Sequence, residues 1–357
     1  MKIEIPLEFG REPGQDSWVL PPWGHAISLG VYPLLTGARG ILELVGTAFS
    51  FSNIGFVGTA LHSILEVCKA EGIPLPDLRA SGERRQPEIR LRNATLAVLH
   101  HTVSEDNSIN ATIRPLQTVD AFPPSEIAIA FPRFQTDLPF FSLPLSFDVP
   151  RVGSVVKCIG YTSAGAGTHK IDLAAFEDGG VSVPITYEHT LQVTEARVTD
   201  IFVRQFASRF VEGPCFAIDA ELPHGMSGGP VLNEAGFVCG VVAAGASTFF
   251  ARPASLVSML YPIALGTVRF GATMGPITVN AKRTFADLAV TKAIATDGSE
   301  MRLAFSGDHE LGGVCPLIAK ADSRSVHDDF ASMQAGTGGT RATGKFFRIA
   351  LPQAETE

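Results

Sequence analysis

The chain has 357 residues, 45% of them hydrophobic and 18% charged, and its mean hydropathy is positive. That length holds two or three packed units, and the composition is the reverse of a disordered chain's. A formal charge of −8 excludes a general nucleic-acid binder, which needs a basic face for phosphate.

The first residues, MKIEIPLEFGREPGQDSW, have no apolar run behind their lysine, so no signal peptide is expected. Apolar runs then recur along the chain, separated by Gly, Pro, Asn or Asp: GILELVGTAFSF from Gly40, NATLAVLHH from Asn93, EIAIAF from Glu126, SVVKCIGY from Ser154 and GFVCGVVAA from Gly236. Short runs with such punctuation are the signature of an all-β sandwich or barrel, and 35 glycines with 24 prolines suit many strands and turns. No fixed-period repeat interrupts them. The polar segment from Pro76 to Arg90 reads as an exposed loop. The proline-spaced stretch from Phe131 to Gly153 reads as a connection between two halves, apolar enough to lie over the body. The longest apolar run, SLVSMLYPIALGTV from Ser255, is too short to cross a bilayer and contains Pro262. A soluble, cytoplasmic protein with no membrane partner is therefore expected. After about residue 270 the character changes, and TFADLAVTKAIA and SVHDDFASMQ carry helical spacing.

Five cysteines are scattered without metal-ligand spacing, and read as buried small hydrophobes in a reducing compartment. The pair His100–His101 has no carboxylate at ligand spacing and reads as structural. No metal and no cofactor is expected.

The chemistry concentrates in HGMSGGPVLNEAGFVCGVV, from His224. A serine between glycines can be presented on a tight turn, and the N–H groups of Gly225 and Ser227 can converge there on one oxyanion. This segment resembles the nucleophile region of trypsin-like serine peptidases, in style closest to the bacterial high-temperature-requirement and related branches. Upstream, VGTAFSFSNIGFVGTALHSIL from Val45 resembles that family's opening hairpin, with Ala48 in place of a usual glycine, and sets His62 where the general base belongs. The family's acid is an aspartate in a D-I-A-L-type strand. Here SEIAIAFP puts Glu126 at that position, and the following SVVKCIGY keeps the register. Asp120 and Asp106 are rival acids, and an arrangement with no working acid is a further alternative. Asp120 lies six residues upstream, about 20 Å along an extended strand, and competes only if the register is wrong.

The resemblance implies further roles. Ala243 stands where the family often has a serine that supports the acid, so Glu126 and Ala243 read as a longer acid beside a smaller neighbour, or as independent drift. Met226, before the nucleophile, replaces the aspartate that pairs with a freshly cut N-terminus, so activation by clipping is not expected. Glu221 falls six residues before Ser227: buried, it would select Lys or Arg, but it could equally face solvent. Leu222, His224, Ala243, Ala244 and Gly245 are the other candidate substrate-binding residues, the small ones lining an open or apolar slot.

The expected architecture is mainly β: two antiparallel six-stranded barrels with a C-terminal α+β extension. Residues 1–140 would form the first barrel, with His62 and Glu126, residues 141–270 the second, with Ser227, and residues 271–357 the extension. The implied activity is that of a serine endopeptidase working through an acyl-enzyme on a protein or peptide substrate, with room for a regulatory partner. One rival reading is a pseudoprotease that binds a peptide or partner without cutting it. The other is a processing protease with identical chemistry and one partner.

Overall fold

The computed structural model describes residues 11–20, 26–37, 43–52, 55–76, 87–91, 96–103, 109–122, 125–132, 141–162, 190–203, 211, 213–274, 277–305 and 314–315. The short apolar runs form strands, as expected. The first barrel consists of β2 (Val31–Thr36), β3 (Glu43–Ser50), β4 (Val57–Ala60), β6 (Leu96–Val103), β7 (Ile109–Phe122) and β8 (Ile127–Pro132), with β5 (Glu88–Arg90) as an extra strand on β7. Its ring runs β7-β6-β2-β3-β4-β8 and closes because β7 is long enough to pair twice. Its first half pairs with β6, from Ile109 opposite Val103 to Pro115 opposite Ala97, and its second half with β8 up to Phe122 opposite Ile127. Between β4 and β5 lies the helix α1 (Leu61–Ala70).

The second barrel repeats the device with β9 (Val155–Thr162), β10 (Thr190–Phe202), β11 (Cys215–Ile218), β12 (Pro230–Leu232), β13 (Val238–Gly245) and β14 (Ser255–Met259). Here β10 is the long strand, pairing with β9 and then with β11. The fold is thus mainly β, with two closed six-stranded antiparallel barrels. One element departs from the expected division at residue 140. The strand β1 (Ser17–Leu20) precedes the first barrel in sequence, yet hydrogen-bonds β10 of the second. Trp18 and Leu20 are buried while Ser17 and Val19 face out, so alternation makes it a strand without saying which sheet it joins.

The interior of the first barrel is its own apolar cluster, including Leu34, Val57, Ile64, Val98 and Val119. A second cluster fills the other barrel and continues across the interface, taking in Phe49, Phe51 and Phe56 as well as Val156, Ile159 and Tyr161. Of two further short helices, α2 (Ser247–Phe250) lies between β13 and β14, and α3 (Phe285–Val290) follows the barrel strands. Between β14 and α3 is a hairpin of β15 (Thr267–Met274) and β16 (Ile277–Thr284). The expected helical start at Thr284 is borne out by a capping box: its hydroxyl accepts from the Asp287 N–H and the Asp287 carboxylate accepts from the Thr284 N–H. The extension does not hang free. The segment after α3 crosses the connection between the barrels, with Leu145 N–H donating to Ala295 O at 2.8 Å and Phe147 N–H donating to Ser299 Oγ at 2.6 Å. The second helical candidate, SVHDDFASMQ, lies outside the described residues.

His100 and His101 sit on β6, 1% and 2% exposed. The His100 ring meets Tyr32 edge-on, and His101 hydrogen-bonds the backbone of Ser28. Burial holds their pKa values down to about 3 and about 4. The unfolded chain takes up these protons near pH 6.5, so their stabilisation is full above that pH and is lost as pH falls toward 4. Asp120 acts oppositely: burial raises its carboxyl to about 6, so the folded state holds that proton more tightly and gains as pH falls below 6. Two histidines against one aspartate leave a net loss of stability as pH falls from 6 to 4. Urea unfolding at pH 6.5, 5.5 and 4.5 should show that decline, and His100→Gln should flatten it; stability that rises on acidification would refute the assignment.

Candidate active site

Ser227 lies in the turn that joins β11 to β12, and its glycines have distinct physical reasons. Gly225 has φ +93° and Gly228 φ +87°, in the region where side chains are disfavoured. A Cβ on Gly225 would also meet Tyr161 O at 2.6 Å, and one on Gly228 would press on Ala60 N at 2.8 Å and on the backbone of Thr47. The turn is therefore seated directly on the first barrel, against β3 and the last residue before α1.

One residue makes that seat. Thr47, on β3 and fully buried, donates its N–H to Ser227 O at 2.7 Å. Its hydroxyl donates to Gly225 O at 2.7 Å and accepts from the Tyr161 N–H at 2.8 Å. Its carbonyl accepts from Thr59 Oγ1 at 2.7 Å. Thr47 thus ties β4, the nucleophile turn and β9 together. It sits inside the GTAF motif, but its spacing alone says nothing of these bonds. Among the described residues no carbonyl accepts from the N–H of Gly225 or of Ser227, so both donors remain available to an oxyanion.

His62 is the second residue of α1, two positions after the Ala60 against which Gly228 packs. The start of α1 is joined to the acid's turn, since Leu61 N–H donates to Glu126 O at 2.9 Å. His62 Nδ1 and Glu126 Oε2 face each other at 3.7 Å. Both atoms are inaccessible to solvent, and neither has a hydrogen-bond partner among the described residues. The gap exceeds hydrogen-bond length, and contacts of this kind are often long in an unliganded enzyme and tighten when substrate is bound. Glu126 does not lie on the strand that the sequence suggested. It is the residue before β8, with φ +50°, a left-handed conformation unusual for glutamate.

The rival acid Asp120 is engaged elsewhere: it accepts from the Arg269 N–H at 2.9 Å, and its other oxygen is 3.3 Å from the Arg269 guanidinium. Asp106 lies outside the described residues. Met226 is fully buried, its Cα and side chain within about 3 Å of where a Cβ on Gly160 would stand, so the glycine of SVVKCIGY makes room for it. Glu221 and His224 are exposed, so Glu221 faces solvent rather than the base of a pocket. Leu222 is half-buried, and its N–H donates to the buried Ser255 hydroxyl at 3.0 Å. Ala243 is buried at the register shift of β13, Ala244 is half-buried and Gly245 exposed. Among the described residues, Ala244 and Gly245 pair with β14 on one side and with no strand on the other, since β12 starts at Pro230, opposite Val241. Among the described residues no cluster of His, Cys, Asp or Glu could hold a metal. Burial pushes the thiol of Cys68 up to about 11 and raises those of Cys158, Cys215 and Cys239 as well, so none of the four is a ready nucleophile.

A sequence model of the trypsin-like peptidase domain matches residues 46–241, a span that contains His62, Glu126 and Ser227. Among solved structures, the MamO protease domain from Magnetospirillum magneticum in its apo form is similar at 16% identity and a TM-score of 0.41, over 66% of this chain and 93% of that one. Deg5 is similar at 17% identity and a TM-score of 0.39, over 65% of this chain and 84% of that one. The HtrA-type protease AlgW, solved with a tripeptide, is similar at 16% identity and a TM-score of 0.36, over 66% and 58% of the two chains. No curated protein matches the chain significantly.

The bonds of Thr47 set an expectation. Thr47→Val removes the partner of the half-buried Gly225 carbonyl and of the buried Tyr161 N–H, the buried group costing about 1–3 kcal/mol. Thr47→Ser keeps the hydroxyl and should lose under about 1.5 kcal/mol. Denaturant unfolding of the two variants checks this, and equal losses would show that the hydroxyl is not what joins the barrels.

Proposed function

The chain belongs to the trypsin-like peptidase domain family, and from that membership we propose that it is a serine endopeptidase in which Ser227 is the nucleophile, His62 the general base and Glu126 the orienting acid. The observation that carries the reading is the buried approach of His62 Nδ1 to Glu126 Oε2, beside the glycine turn of Ser227. A carboxylate at Nδ1 fixes the imidazole tautomer that leaves Nε2 free to accept a proton, and it stabilises the imidazolium that follows. Ser227 Oγ then attacks the peptide carbonyl while His62 takes its proton. The N–H groups of Gly225 and Ser227 bind the oxyanion, His62 returns the proton to the leaving amine, and water hydrolyses the acyl-enzyme by the same steps in reverse.

Substrate would lie extended along the open edge of Ala244 and Gly245, as an added strand. Leu222, Ala243 and Ala244 offer a small apolar lining to the side chain before the cut, and His224 borders the turn. An exposed Glu221 gives little discrimination in favour of Lys or Arg, because a solvated ion pair is weak. The buried Met226 has no charge to offer a new α-amino group, so the chain should work without N-terminal clipping.

A peptide library digested by the full chain and mapped by mass spectrometry tests the reading. Wild type should cleave it, while Ser227→Ala and His62→Ala should each lose roughly 10⁶-fold in kcat, the double variant losing little more because the pair acts as a unit. Glu126→Gln should lose about 10⁴-fold, as when such an acid becomes an amide. Cleavage surviving in Ser227→Ala would refute the mechanism. Peptide binding without turnover in wild type would move the reading to a pseudoprotease.

A further inference from the structure

The family match ends at residue 241, yet the chain continues through α3 to a site on the first barrel that bears on Glu126. Glu126 follows β7 after a short connection, and its left-handed backbone costs on the order of 1–3 kcal/mol. Such a conformation persists only where the surroundings over-determine it. From the α1 side it is held by the bond between Leu61 N–H and Glu126 O. On the other side stands Phe122, the last residue of β7, whose carbonyl accepts from the buried Ser125 hydroxyl at 3.2 Å.

Phe122 is gripped by the C-terminal segment. A Cβ on Gly266 would come within 2.9 Å of Phe122 Cδ1, so only glycine lets the chain pass that close to the ring. Phe285, fully buried at the start of α3, packs edge-on against Phe122 with centroids 6.0 Å apart and stacks on Phe51 at 5.5 Å. Gly266 and Phe285 are themselves joined, Phe285 N–H donating to Gly266 O at 3.2 Å, and Ala286 N–H donates to Ala264 O at 3.1 Å. Two residues back along β7, Asp120 is held by the backbone and guanidinium of Arg269, which also pairs with Glu88.

We propose that Phe285, Gly266 and Arg269 form a brace for the catalytic acid, acting as positioning residues that hold the turn between Phe122 and Glu126 so that the carboxylate faces His62. The inference rests on the peptidase reading above. It makes activity depend on a segment outside the family match, and gives the extension a role in the chemistry of the first barrel.

The test follows the rate at which a fluorophosphonate probe labels the full chain as a function of pH, a readout that needs no known substrate. Losing the carboxylate from His62 Nδ1 destabilises the imidazolium, so the acidic limb of the profile moves to lower pH while the maximal rate falls. Phe285→Ala should slow labelling at least tenfold and shift that limb downward, and Phe285→Leu should recover most of the loss. In a Glu126→Gln background, Phe285→Ala should add less than about threefold, because the acid it positions is already gone. Should Phe285→Ala fail to fold, Asp120→Ala, with Asp120→Asn as the variant that keeps an acceptor for the Arg269 N–H, takes its place in the same comparison. A folded Phe285→Ala or Asp120→Ala with an unmoved limb, or with the same loss in both backgrounds, overturns the brace while leaving the peptidase reading intact. A wild-type chain that takes no label at Ser227 removes both.

Discussion

The structure depends on a threonine hydroxyl between two barrels. Thr47 gives both its donors to the turn that carries Ser227 and receives the Tyr161 N–H in return. Nothing covalent fixes Ser227 relative to His62: the first belongs to the second barrel and the second to α1. The apolar core that spans the interface, with Phe49, Phe56, Ile159 and Tyr161 among its members, supplies adhesion but little register, because dispersion and burial are non-directional. Hydrogen bonds with both partners buried are directional and costly to leave unmade. Thr47 therefore sets where the turn sits, and Gly228, pressed on Ala60, carries that setting to the start of the helix bearing His62.

Much of this was legible in the sequence because it depends on local chemistry. The glycines around Ser227 announce a turn that no other residue tolerates, and the structure gives the reason in two positive φ angles and in close approaches to Thr47, Ala60 and Tyr161. The alternating runs become strands in the expected places, and the capping pattern at Thr284 begins a helix. What was not legible depends on distance across the fold. The SWVL segment alternates as any strand would, and only the assembled sheet shows that it crosses to β10. Glu126 reads as strand because it precedes IAIAF, but the turn after Phe122 puts it in the left-handed region, a conformation for which a glutamate gives no local signal.

The extension shows the same division. Its helical start follows from local pattern, whereas its contact with Phe122 and Asp120 joins residues more than 140 positions apart. That contact is bought with two desolvated groups, a phenylalanine and a carboxylate whose ionisation burial makes harder. A purely structural strap could have used apolar residues throughout. The aspartate, on the strand that leads to the turn of Glu126, instead offers a directional acceptor to the Arg269 N–H.

The proposed role of Ser227 requires a hydroxyl made reactive by its surroundings, since an ordinary serine hydroxyl is inert toward phosphonylating agents. Treating the native full-length chain with a fluorophosphonate and mapping the adduct by peptide mass analysis tests it most directly. One equivalent of adduct is expected, on the peptide containing Ser227, absent after denaturation and absent in Ser227→Ala. A native chain that stays unmodified, or an adduct carried by another residue, would contradict it.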